Sequence, residues 1–391
     1  MVVLTKKEST MTTNTTFPTF SLSRLLNTVF SPDKKETIGV MIDLPNPKDM
    51  IGLAFLNQPE LTIQKIAWET FYQGLQHGVA AELGLDVGGF YAYHITGGSN
   101  LDLPDEAYDA HGKRVSLEKD VYPHHGIILC ISTYSATAPL TAFAKQYGFR
   151  GATLHGVNEI ILASGLSVNY HEVSREAEKL RLALTRADAF EIDFEIGGTT
   201  HTLRLIINQQ EAHKSHGLCP PGAPDVANLP AGEVYYVPTS AEGQFPMYYE
   251  DGTIGLMQVE NGHVTRATLI EGDAATIAAH NEKLASDPAT GVIGELGFGT
   301  QRLPVSGRDI QDEKILGTLH VATGRSDHLG GDCVPDSFTD KSHATHDDIL
   351  FAPFKTPKIN VPQARMYRDG KVTPVIENFK PTAYLLDALA G

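Results

Sequence analysis

The chain has 391 residues, 41% of them hydrophobic and 20% charged, a balance that predicts a folded protein with room for two domains. Asp and Glu outnumber Lys and Arg by 47 to 31, and the resulting net charge of −16 repels phosphate backbones and anionic lipid, excluding nucleic acid and membranes as partners. Three cysteines, Cys130, Cys219 and Cys333, with no C-x-x-C pair, signal neither a disulfide framework nor a thiolate zinc site and suit a reducing, cytoplasmic setting.

Residues 1–20 read as a loose tail, since the Thr- and Lys-rich start has no apolar segment of a signal peptide. Residues 21–189 then alternate short apolar runs with helical periodicity. Strands are expected at 38–43, 88–95, 127–133 and 152–155, with helices at 63–83, 138–147 and 172–185. Strands separated by helices predict an α/β domain built on a doubly wound, mainly parallel sheet. The aperiodic stretch 99–119 reads as a long loop, and His124-His125 as surface histidines.

From residue 190 to 391 the texture changes to period-2 alternation. Residues 190–196 and 200–206 flank a Gly-Gly turn as a hairpin. Further strands are expected at 233–237, 253–259, 263–269, 316–321 and 349–352, with one helix at 274–285. Asn261-Gly262 between two strands supplies the positive φ angles of a type I′ turn. This half is therefore predicted to be a mainly antiparallel β domain. A Pro/Gly-rich loop at 215–224 is placed to rim a pocket.

No phosphate-binding loop, G-x-S-x-G or H-E-x-x-H motif occurs, and Gly294-Glu-Leu-Gly-Phe-Gly299 has the wrong spacing for a dinucleotide fingerprint. Residues 317–348 instead concentrate four histidines (His320, His328, His343, His346) and six aspartates. In His346-x-Asp348 an imidazole and a carboxylate fall on one face of an extended strand, a spacing able to hold a divalent cation. His320 lies inside an apolar strand, where a buried ring needs partners. Glu233 opens a strand after a Pro-Ala-Gly turn, and Glu295 is hemmed by glycines; a buried carboxylate needs a counter-charge or a metal.

Four ordered blocks, Asn228-Leu-Pro-Ala-Gly-Glu-Val234, Gly294-Glu-Leu-Gly297, Gly317-Thr-Leu-His320 and His346-x-Asp348, resemble the M29 family of metallo-aminopeptidases, and the similarity extends upstream to Arg150–Glu159. The resemblance implies a homodimeric hydrolase acting on a peptide or amide with a free amine. It further implies two divalent cations (Zn, Co or Mn) held by Glu233, Glu295, His320, His346 and Asp348. Glu295 and Glu233 are then the catalytic candidates, Glu295 as general base. Two such ions share a hydroxide and polarise a carbonyl.

The chain departs from the family where the aminopeptidases place a tyrosine, about seven residues past the block histidine: the position is Asp327, and Arg325 and His328 are the substitute candidates for substrate contact. Glu295-Leu-Gly-Phe-Gly-Thr-Gln301 is more similar to a branch of the same superfamily containing 2,5-dihydroxypyridine 5,6-dioxygenases. That branch implies a single Fe(II), for which His320, His346 and Asp348 would compose a two-histidine, one-carboxylate set acting on a dihydroxylated aromatic. The branch takes one of its histidines from the position of Glu295, a second departure. A catalytically inactive binding protein of the same fold is the third reading.

Overall fold

The structure is a computed structural model that describes residues 16–391. Most of the expected tail lies outside the described residues. The first sheet has seven strands, in spatial order Val226–Asn228, Arg150–Thr153, Ile127–Cys130, Thr37–Leu44, Asp86–His94, Glu106–Asp109 and Arg114–Ser116. The first five are parallel and the last two antiparallel. Thr37–Leu44 and Ile127–Cys130 are all but fully buried, which is why they read as continuous apolar runs. Helices Leu22–Phe30 and Thr137–Tyr147 pack around this sheet, Tyr170–Leu184 runs instead against strands His213–Ser215 and Glu233–Tyr236 and the helix Ala383–Ala390, and the helix expected at 63–83 is a helical run with π turns, broken at His77-Gly78.

The structure corrects two details. The stretch 99–119 is not all loop: Glu106–Asp109 and Arg114–Ser116 form a hairpin on the sheet edge, its turn closed by Asp109 Oδ1 accepting from His111 N and Lys113 N. Polar edge strands of three or four residues are too short for a periodicity to register. His125 is not a surface histidine. Its ring is buried over Gly39 and Gly88, where an added Cβ would lie 2.7 and 2.3 Å from the ring, and Nδ1 donates to Val121 O at 2.7 Å.

The remaining strands are antiparallel. An eight-stranded sheet runs His263–Glu271, Ile254–Glu260, Ser240–Tyr248, Thr199–Ile206, Ala189–Ile196, Asn360–Arg368, Lys371–Glu377, Lys380–Pro381. A five-stranded sheet runs His346–Phe351, Leu319–Gly324, Ile293–Gly299, Glu233–Tyr236, His213–Ser215. The two share a core in which Phe190 meets Phe298 (5.3 Å between ring centres) and Phe194 meets Phe351 (4.6 Å). Asn261 and Gly262 take φ of 51° and 79°, as the expected turn requires. The chain returns once to the first sheet after residue 190, through Val226–Asn228, and so carries the entry to Glu233 past that sheet's carboxyl edge. No helix among the described residues is long and apolar enough to cross a membrane.

Candidate metal centre

Strand register brings the five expected donors together. Glu295, Ala322 and Asp348 lie in one row across three adjacent strands. His320 is two residues from Ala322 and His346 two from Asp348, so the pleat points all four polar side chains to one face. The alternate residues Leu296, Val321 and Ile349 face the shared core. Glu233 pairs with Gly299 at the start of the neighbouring strand. Two glycines make room: Gly297 sits opposite His320, and a Cβ there would be 2.1 Å from the ring, while Gly232 enters the Glu233 strand at φ 128° with Gln301 packed on it.

Two three-residue donor groups result, Glu233–Glu295–His320 and Glu295–His346–Asp348, which share Glu295. Glu295 Oε1 lies 3.4 Å from His320 Nε2 and Oε2 lies 3.0 Å from His346 Nε2. Asp348 Oδ1 is 3.2 Å from His346 Nε2 and 3.8 Å from His320 Nε2, and Glu233 Oε2 is 3.8 Å from His320 Nε2. Two ligand atoms each ~2.1 Å from a common ion are separated by roughly 3.0–3.4 Å at tetrahedral or octahedral angles. The shorter edges match that spacing. His346 Nδ1 donates to the Arg325 carbonyl at 2.6 Å, which turns the Nε2 lone pair of the neutral ring toward two carboxylates. Facing lone pairs at this range repel unless a proton or a cation lies among them, so the donor set fits a divalent metal.

Without a metal, protons fill that need. Burial opposes charge on both imidazoles, yet Glu295 and Asp348 outweigh it, raising His320 to about 10 and His346 well above its usual range. Burial likewise opposes ionisation of Glu295 and Asp348, but the two histidines hold both below the usual carboxylate range. The cluster is buried except for Asp348, whose side chain is 30% exposed.

Beside it lies a cation that the sequence did not reveal. Lys314 Nζ, 1% exposed, is 2.7 Å from Glu233 Oε2 and 2.6 Å from Glu313 Oε1. Burial disfavours its charge, but the two carboxylates hold its proton firmly, while burial pushes Glu313 up to about 8. Asp312-Glu313-Lys314 looks like an ordinary solvated charge run, and nothing in its composition marks it as buried.

A cavity of about 200 Å³ opens on the cluster. One wall is the five-stranded sheet; another is the carboxyl edge of the parallel strands, where Asn100, Ser135, Thr137, His155 and Asn228 line it. Open parallel sheets bind ligands at that edge, where the strand order reverses; here the reversal falls between Thr37–Leu44 and Ile127–Cys130. His155 is lowered to about 4 by burial and by Lys314, and its Nδ1 has no protein partner among the described residues. The Pro/Gly-rich loop reaches the cavity through Ser215–Leu218.

The two substitute candidates separate. His328 lines the cavity, edge-on to His346 with ring centres 5.0 Å apart. Arg325 does not face the cavity as a free donor: its guanidinium is spent on Asp327 (2.7 and 3.2 Å), Asp102 (3.1 Å) and the Asn100 carbonyl (2.8 Å). It ties the donor sheet to the loop at Asn100.

No protein-family model and no curated relative matches the chain. Among solved structures, the chain shares its fold with 2,5-dihydroxypyridine dioxygenase from Pseudomonas putida KT2440, at a TM-score of 0.60 and 14% identity, over 93% of this chain and 97% of that one. Membership of the M29 family therefore stands as a reading of the four sequence blocks, whereas the two-part α/β architecture is common to this chain and the dioxygenase.

Proposed function

We propose that the protein is a metal-dependent hydrolase of the M29 aminopeptidase type, acting on a peptide or amide bond with Glu233, Glu295, His320, His346 and Asp348 as ligands of two divalent cations. The observation that carries this reading is the sharing of Glu295, each oxygen of which serves a different donor group. Glu295 would serve both ions of a pair held by these residues. Such ions, when bound, would supply an activated water and polarise the scissile carbonyl.

The protein's own groups then divide the work. Glu295, with both oxygens engaged and a depressed proton affinity, suits the bridge better than the general-base role expected for it. Glu313, which lines the cavity beside the donor cluster and is held by Lys314, is the carboxyl placed to take part in proton transfer. His328 packs on His346 and closes the cavity wall. A cytoplasmic homodimer is part of the proposal.

The test is metal content by mass spectrometry together with hydrolysis of aminoacyl anilides. About two Zn, Co or Mn per chain, lost in His346→Ala along with activity, is expected; full activity in rigorously metal-free protein would refute the proposal. A second reading, an Fe(II) ring-cleaving dioxygenase, is favoured by the ion pair that Lys314 makes with Glu233, which leaves His320, His346 and Asp348 as a complete set for one ion. Oxygen uptake with a dihydroxypyridine, absent under nitrogen, with one iron per chain, decides for it.

A further inference from the structure

We infer that the cavity contains a second recognition point, a carboxylate-binding subsite built on the Asn100 side-chain amide at the start of helix Thr137–Tyr147. It rests on the metal-donor cluster being the reacting end of the same cavity, and it adds the substrate class: a small molecule carrying a carboxylate away from the reacting bond.

Asn100 is 4% exposed and lines the cavity. Its Oδ1 accepts from Ala138 N in the first turn of the helix, at 2.9 Å, and from Ser135 Oγ at 3.3 Å. A backbone N–H can only donate, so this bond fixes which end of the amide is oxygen. The amide Nδ2 donates to no protein acceptor among the described residues, which leaves its two hydrogens available to a molecule in the cavity that Asn100 lines. The helix, eleven residues long, carries positive potential at its N-terminus. Its first-turn N–H polarises the Asn100 amide, which presents that potential to the cavity as a strengthened donor.

The surroundings favour an anionic oxygen. Ser99, Ser135, Thr137 and Thr141 line the cavity with Asn100, and Ser135 and Thr137 are hydrogen-bonded in one network with it, whereas the cavity's carboxylates Glu233, Glu295, Glu313 and Asp348 belong to the donor cluster and its Lys314 neighbour. The site is held rigidly: Asn100 N donates to Ser135 O at 2.7 Å, and its carbonyl accepts from Arg325 Nη1 at 2.8 Å. Asn100 also has φ 64°, a left-handed conformation that Asn tolerates better than most residues. Backbone geometry alone therefore accounts for an Asn or Gly at this position, and the experiment must separate that role from recognition.

Asn100→Asp makes the separation. Aspartate tolerates the same φ and still accepts from Ala138 N and Ser135 Oγ, so a purely structural role survives, while the donor becomes a negative oxygen. Metal-loaded protein is titrated with propionate, propionamide and propylamine, which share one skeleton, by ligand-observed NMR. Asn100→Asp is expected to weaken propionate about tenfold or more and Thr137→Val about threefold, while propylamine, which can engage only the acidic end of the cavity, is not weakened by either. Melting temperatures of both variants should stay near that of the unchanged protein. The titration is repeated after chelation and in Asp348→Asn. Propionate binding that persists there places the anion away from the metal, and it would do so even if the metal reading failed. Unaltered propionate affinity in folded Asn100→Asp, an equal loss of propylamine affinity in that variant, or propionate binding that disappears with the metal overturns the subsite.

Discussion

Gly297→Ala is the smallest change that should dismantle the candidate centre. A Cβ at this position would lie 2.1 Å from His320 Cε1 and 2.3 Å from Nε2. Ordinary carbon contacts begin near ~3.5 Å, so the ring must retreat by about 1 Å or more. His320 is buried in the middle of its sheet, and the retreat drives it off its rotamer at a cost of about 1–3 kcal/mol in the metal-free protein. Displaced by that distance, Nε2 leaves ligating range, and metal affinity should fall about 10–100-fold, as when a ligand's support is removed. Isothermal titration with Zn²⁺ and denaturant melts of the metal-free protein measure the two effects. The double variant Gly297→Ala/His320→Ala supplies the control: with the ring gone the methyl has nothing to strike, so the stability penalties should be strongly non-additive. Additive penalties, or Gly297→Ala binding Zn²⁺ as the unchanged protein does, would refute the placement of His320 over Gly297.

Three further outcomes follow from the same geometry. Lys314→Met leaves Glu233 and Glu313 buried without their shared cation and should destabilise the metal-free protein by about 3–5 kcal/mol, with Glu313→Gln in the same chain recovering part of the loss in chemical denaturation. Metal-free protein should lose stability as pH rises: Glu313 has its proton affinity raised from 4.5 to about 8 and His320 from 6.5 to about 10, so each holds a proton in the folded state that the unfolded chain has already released. The loss should run from about pH 5 to 10 in thermal melts, and His320→Gln should flatten its upper half; a stability that climbs with pH in this range contradicts both assignments. His346→Asn, which removes Nε2 but keeps a polar group facing the Arg325 carbonyl, should reduce bound metal to background by mass spectrometry while leaving the protein folded.

The sequence made the α/β half legible because burial on both faces writes parallel strands as unbroken apolar runs, as in Ile127–Cys130. It concealed three interior strands of the eight-stranded sheet, each of which carries a proline. The structure shows how they are tolerated. Pro362 lies in the register shift between Asn360 and Gln363, and Pro374 faces the shift between Ala364 and Arg365. Pro246 lies beyond residues 240–243, the only part of its strand paired with Thr199–Ile206, so its missing N–H faces an edge without a partner. The candidate donors that the structure brings together could be picked out for a related reason: i,i+2 spacing on a strand and glycines flanking a carboxylate survive in one dimension. Glu313, Lys314 and Asn100 did not, because their roles come from what is packed over them. Arg325 misled for the same reason, since two of its acceptors, the Asn100 carbonyl and Asp102, lie more than two hundred residues away in sequence.

The charges at the centre bear on how many ions it takes. Four carboxyl groups, Glu233, Glu295, Glu313 and Asp348, face one ammonium, Lys314, which leaves three negative charges if all four are ionised. Besides Lys314, already counted as an ammonium, His320, His346 and Glu313 have raised proton affinity, and their three protons neutralise the metal-free centre near pH 7. On the proposed reading, a cation entering the centre would displace protons. One divalent ion displaces the two imidazole protons, and Glu313 keeps its own to leave the site neutral. Two ions would displace all three, and neutrality would then require one more proton to leave, from a water taken into the site, making four. Titration calorimetry in buffers of different ionisation enthalpy counts these protons directly. About four released per chain supports the paired ions of a hydrolase, and about two supports the single ion of the oxygenase reading. Release of none would mean that His320 and His346 are not the ligands, whatever metal the protein carries.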